Sequence, residues 1–125
     1  RAVEEAWKKL RLTVSIATKL NRPHLVPGRA TYLLPCLVRA EEDVQASGPQ
    51  VVSIEDSLSH IHASLGTITP AAPSILSEPT IVAGIAKATL APNPKVRWDD
   101  WIADYARIRA LTSFLYFSEG SSLSL

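Results

Sequence analysis

The residues best equipped for chemistry crowd into one stretch of the chain. EEDVQASGPQVVSIEDSLSHIHAS, residues 41 to 64, carries Glu41, Glu42, Asp43, Glu55 and Asp56 together with His60 and His62. Alternation along a strand puts His60 and His62 on one face, where two imidazoles can share a metal ion. A metal site needs further ligands, and Asp56 or Glu55 joins the pair only if the chain folds back. Spacing completes no zinc pattern, so no residue is assigned as a metal ligand. The five carboxylates could pair for general acid–base work. Beside Gln, Ser and Gly they read more simply as solvated loop acids, and none is assigned a catalytic role. Cys36, the single cysteine, follows Leu34 and Pro35 where a strand ends. No helix start or cation beside it would stabilise a thiolate, so it reads as a small buried apolar residue. Neither a glycine-rich phosphate loop nor a G-x-S-x-G elbow is present.

The elements that must position these groups have a layered rhythm. AVEEAWKKLRL places Val3, Ala6, Trp7 and Leu10 at helical spacing. LTVSIA (12 to 17) and ATYLLP (30 to 35) read as short parallel strands, the second stopped by Pro35. Between them TKLNRPHLVPGR allows at most one helical turn. From residue 36 to residue 76 no helical period is sustained, and Gly48-Pro49, Gly66, Pro70 and Pro73 cut the segment into short extended pieces. Ser77 then caps a helix opened by Glu78 and Pro79, with Ile81, Val82, Ile85 and Leu90 on its apolar face. WDDWIADYARIRAL forms a last amphipathic helix. The expected fold is α/β: a partial Rossmann-like layered domain with short parallel strands, a long irregular loop and amphipathic helices. It spans residues 1 to 111, and residues 112 to 125 read as a tail that is either irregular or foreign to that fold.

Composition bounds the function. The chain has 125 residues, enough for one domain, and is 46% hydrophobic and 20% charged, as globular proteins are. Thirteen basic against twelve acidic residues give a formal charge of +1, with the basic residues scattered. No nucleic-acid surface is therefore indicated. Apolar runs fall short of the ~20 residues a membrane helix needs, so neither a membrane partner nor a signal peptide is expected. A cytoplasmic protein is the expectation, consistent with the lone cysteine. Because the chain starts at Arg1 inside a helical pattern and contains no Met, it reads as a piece of something larger.

Three runs carry a resemblance: ATKLNRPHLVPG, LLPCLVRAEEDVQASGPQVVSIEDSLSHIHAS and PAAPSILSEPTIVAGIAKATL. In that order and spacing the chain, from Arg1 to about Ala110, resembles the formate-dehydrogenase-like molybdopterin oxidoreductase alpha subunits of the YdeP type. It is similar more loosely to other enzymes of the dimethyl-sulfoxide-reductase superfamily. The resemblance implies a molybdenum-dependent oxidoreductase whose α/β domain helps hold a bis(molybdopterin guanine dinucleotide) cofactor at strand ends. By position it implies cofactor contacts from Thr18, Lys19, Asn21 and Arg22 after the first strand, from Glu41 and Glu42 after the Leu-Pro strand, and from Glu78 at the next helix start. Where several relatives carry Lys in the acidic loop, this chain has Glu41-Glu42-Asp43, which weakens a phosphate contact there. Family chains are several times longer, so the implied partners are the remaining domains of a parent oxidoreductase. The isolated piece is expected to be inactive and to retain no cofactor, and its uncovered apolar surface is open to self-association. Two other readings stand beside this one: a stand-alone interaction module without catalytic activity, and a small metal-dependent hydrolase built on His60, His62 and Asp56.

Overall fold

Residues 2 to 118 are described by the computed structural model, which has an α/β fold. Helix α1 (Ala2–Lys8) leads into strand β1 (Leu12–Ala17). A single 3-10 turn (Arg22–Leu25) follows, and the chain returns as β2 (Ala30–Pro35). The two strands pair in parallel, with Leu12 opposite Ala30 and Ala17 opposite Pro35. Both β-rich runs thus form the strands their composition favours, and Pro35 sits at the last position, where its missing N–H matters least. Cys36 extends the pairing by one bridge to Leu76, and the Leu37 N–H donates to the Leu76 carbonyl at 3.0 Å. The segment just before the next helix is thereby placed beside the end of β2.

The expected irregular loop is in fact stitched into short antiparallel pairs. β3 (Val44–Gln45) and β4 (Gly48–Pro49) form a tight turn, and β5 (Val51–Glu55) pairs with β6 (Ile61–Leu65) in register Ile54 opposite His62. The β5–β6 connection, residues 56 to 60, has five residues. The Ser59 N–H donates to the Asp56 carbonyl, and Ser59 itself takes φ +62°, the left-handed position such loops require. Glycine or asparagine would have announced that turn; serine does not.

Helix α2 (Glu78–Thr89) begins at Ser77, as the sequence suggests, and buries Ile81, Ala83 and Ala86. The expected last helix is broken in two. α3 (Trp98–Ala103) stops at Asp104, whose backbone is extended, and α4 (Tyr105–Ser118) restarts immediately. Asp104 causes the restart: its Oδ1 accepts the Ala106 N–H at 3.0 Å, the usual side-chain satisfaction of a helix start. Because α4 runs to Ser118, the tail expected to be irregular from residue 112 is helical to that point, and 119–125 lie outside the described residues.

The core is thin. Cys36, Ile81, Ala83, Ala86 and Tyr105 are its buried apolar members, joined by Thr13, Gln50 and Ser77. A parallel sheet is ordinarily covered on both faces, yet here Val14 is 48% and Tyr32 61% exposed. The β1–β2 layer therefore presents an apolar face that the described residues do not cover. No helix among them is long and apolar enough to cross a membrane.

Candidate functional site

A cleft of about 420 Å³ opens where β1 and β2 end, within the size range of small-molecule sites. Thr18 reaches it from the residue after β1, and Arg39 and Glu41 from the segment after β2. Ser77 and Glu78 enter from the start of α2, while Val52, Ile54 and Ser64 line it from one face of the β5–β6 hairpin. Ligands in α/β sheets gather at the carboxyl ends of strands because loops from several elements converge there.

Three of the seven residues singled out for cofactor contact, Thr18, Glu41 and Glu78, meet in this cleft. Glu41 is also structural: Oε2 accepts the Val38 N–H at 2.7 Å and Oε1 the Ala71 N–H at 2.9 Å. Its carboxylate thus clamps two loop segments while retaining lone pairs for a ligand. Glu78 sits at the first turn of α2, where a carboxylate is favoured by the helix dipole, and has no side-chain hydrogen bond among the described residues. Behind these acids lies Cys36. Burial pushes its thiol pKa up, and the negative charges of Glu78 and Glu41 push the same way.

The other four lie outside the cleft lining. Arg22 pairs with Glu4 at 3.1 Å on the α1 side, and the Asn21 N–H donates to His24 Nδ1 at 3.0 Å to shape the 3-10 turn. Lys19 is exposed and absent from the lining. Glu42 faces a neighbouring hollow of about 290 Å³ beside Thr80 and Pro70. The sequence reading missed Arg39, which lines the cleft as its only cation and has no ion-pair partner among the described residues. Its place four residues after the Leu-Pro strand end was the available signal.

A buried polar network holds the cleft floor. Tyr105 is 3% exposed and its hydroxyl donates to Asp43 Oδ2 at 2.5 Å. Ser77 Oγ lies 2.6 Å from the phenolic oxygen and 2.9 Å from Thr80 Oγ1. Gln45 Nε2 donates to Asp43 Oδ1 at 2.6 Å, and the Tyr105 N–H donates to Gln50 Oε1 at 2.8 Å. Asp43, Gln50 and Ser77 all line the cleft, so α4 fixes three of its walls through one tyrosine. Desolvation, reinforced by donation to the Asp43 carboxylate, pushes the Tyr105 pKa up to about 12.

At the hairpin tip the chain does fold back. Asp56, His60 and His62 bring one ligand atom each to within 4.8 Å of one another. His62 Nε2 is 2.9 Å and His60 Nδ1 3.5 Å from Asp56 Oδ2. The hydrogen bond from His62, followed by the N–H groups of His60 and Leu58, holds the Asp56 carboxyl below its usual pKa. Glu55 points to the opposite hairpin face, paired with Ile61.

No family model and no solved structure matches the chain. It is 52% identical over 101 residues to Protein YdeP of Shigella flexneri and 50% identical over 101 residues to Protein YdeP of Escherichia coli K12. An uncharacterized oxidoreductase of Mycobacterium tuberculosis H37Rv, Rv2900c, is 40% identical over 106 residues. These matches cover 81% of this chain for the first two and 85% for the third. The chain is therefore similar to one segment of these proteins, spanning only 13% to 14% of their length.

Proposed function

We propose that the chain is one segment of a larger molybdenum-dependent oxidoreductase of the formate-dehydrogenase-like kind, and that its cleft contributes to binding the guanine dinucleotide of the molybdopterin cofactor. The observation that carries the reading is the convergence of Thr18, Glu41 and Glu78, from three separate segments, on one cleft at the strand ends. The name of the mycobacterial relative, an uncharacterized oxidoreductase, supports the reaction class. The uncovered apolar face of β1 and β2 supports packing against further polypeptide.

The residues present suit a nucleotide. Carboxylates accept from ribose hydroxyls and from the amino and imino groups of guanine, which suits Glu78 and the remaining lone pairs of Glu41. Thr18 adds a hydroxyl, and Arg39 supplies the guanidinium that phosphate oxygens favour. Lys19, two residues past the end of β1, is left as long-range positive charge, whereas the charge of Arg22 is taken up by Glu4. When bound, the cofactor supplies the electron transfer at its metal, while this segment binds and orients. Cys36 is not a metal ligand in this scheme, since its thiol is buried behind the cleft acids. The reading carries a cytoplasmic location with it.

The test is on the full-length gene product. Molybdenum and guanine nucleotide are measured after purification, in the wild type and in Glu78→Gln and Arg39→Ala variants. Copurification in the wild type with reduced nucleotide content in both variants is expected. A protein that holds neither molybdenum nor pterin, or variants with unchanged content, would overturn the proposal.

A further inference from the structure

We infer that the β5–β6 hairpin tip is a binding site for a divalent transition-metal ion of the zinc class, with Asp56, His60 and His62 as its three protein ligands. The inference stands on the hairpin alone and is independent of the dinucleotide reading.

Register makes the convergence. Ile54 lies opposite His62 and Glu55 opposite Ile61, so two residue pairs further toward the tip Asp56 comes opposite His60, and side chains of that alternate set share a face. The Asp56 N–H donates to the His60 carbonyl at 3.0 Å, closing that pair. The carboxylate is then locked from below. Oδ1 accepts the N–H groups of Leu58 at 2.8 Å and His60 at 3.0 Å, which leaves Oδ2 directed at the two imidazoles. A carboxylate already held by two backbone donors does not have to be ordered when a cation arrives, and supporting hydrogen bonds of this kind orient ligands in metal sites generally.

The spacing suits the ion. Donor atoms about 2.0 Å from a tetrahedral centre lie about 3.3 Å from one another. The two distances to Asp56 Oδ2 here, 2.9 and 3.5 Å, bracket that value. The rings stand nearly perpendicular, at 85°, with centroids 6.4 Å apart, so their lone pairs can meet at one point without the rings colliding. Two neutral imidazoles and one carboxylate form a donor set that borderline-soft ions prefer over magnesium or calcium, which seek oxygen. Three protein ligands leave a fourth position for water or an anion. That position has a setting: the same hairpin face continues through Ile54, Val52 and Ser64 into the wall of the cleft.

The experiment is an indicator-competition titration of the chain with Zn²⁺ alone, repeated with His60→Gln, His62→Gln, Asp56→Asn and, as control, His24→Ala. One bound equivalent is expected. Each of the first three variants should weaken it by at least about tenfold, the lower end of what losing even a supporting partner around a metal costs. His24, in the 3-10 turn, should be silent. Ring resonances in nuclear magnetic resonance spectra give a readout that needs no variant: those of His60 and His62 should shift on Zn²⁺ addition while those of His24 stay. Absence of a stoichiometric site, variants that bind like the wild type, or equal loss in His24→Ala would overturn the inference.

Discussion

Replacing Tyr105 with Phe removes one oxygen atom from the centre of the network that fixes the cleft walls. The hydroxyl donates to the half-buried Asp43 carboxylate and lies 2.6 Å from Ser77 Oγ. A hydrogen bond to a charged group contributes about 1.5–3 kcal/mol and a neutral one about 1 kcal/mol, so the loss at neutral pH is roughly 2–4 kcal/mol. Ser77 keeps Thr80 and Asp43 keeps Gln45, which sets the loss toward the lower half of that range. The same atom makes the effect depend on pH. An unfolded tyrosine ionises near pH 10, whereas desolvation and the Asp43 carboxylate push Tyr105 up to about 12 in the fold. The neutral phenol is thus the favoured folded form, and its contribution is complete below about pH 10 and lost as pH rises toward 12. Two pKa units correspond to roughly 3 kcal/mol. Urea unfolding of wild type and Tyr105→Phe in parallel, from pH 7 to pH 12, isolates this one group because all others cancel in the difference. The stability gap should be wide at pH 7 and shrink steadily above pH 10. A gap that stays constant to pH 12, or a variant as stable as the wild type at pH 7, would mean that the Tyr105 hydroxyl does not carry this stabilisation.

Two further outcomes follow from close packing around the same site. Gly66→Ala would place a Cβ 1.8 Å from the Glu41 carbonyl oxygen, a backbone atom that cannot swing aside. Denaturant unfolding should show destabilisation at or above the roughly 1–3 kcal/mol usual for overpacking. Cys36 should be alkylated by iodoacetamide at pH 7.5 at least about tenfold more slowly in the native chain than in urea, because the thiolate is the reactive form. Burial, followed by the charges of Glu78 and Glu41, disfavours it. Equal rates in the two states would contradict the placement of Cys36 in the core.

What the sequence discloses follows the range of the interactions that decide each element. β1 and β2 fall where LTVSIA and ATYLLP suggest, since an apolar run and a terminal proline are local signals. The start of α2 is equally local, although its capping serine turns its hydroxyl to Tyr105 and Thr80 and forms no side-chain cap hydrogen bond. The break between α3 and α4 was hidden because Trp98, Trp101, Ile102, Tyr105 and Ile108 keep helical spacing across it. Asp104, an acid able to cap a new helix, was the signal passed over. The β5–β6 hairpin was hidden for a related reason: its turn uses Ser59 in a left-handed conformation without a glycine to mark it. For the site, Thr18, Glu41 and Glu78 came only with the family resemblance, and they line one cleft in the fold. Arg39 left only its place four residues after the Leu-Pro strand end as a signal, and the Tyr105–Asp43 pair left none, because that contact joins segments far apart in sequence.

Whether the cleft beside β1 and β2 holds part of a molybdopterin guanine dinucleotide, as proposed, is decided by the composition of the purified full-length gene product. Molybdenum by mass spectrometry and released guanine nucleotide by chromatography are measured on the wild type and on Glu78→Gln. Both components are expected in the wild type, with a clear loss of nucleotide in the variant at unchanged folded yield. A wild type free of both, or a variant that retains nucleotide in full, would contradict it.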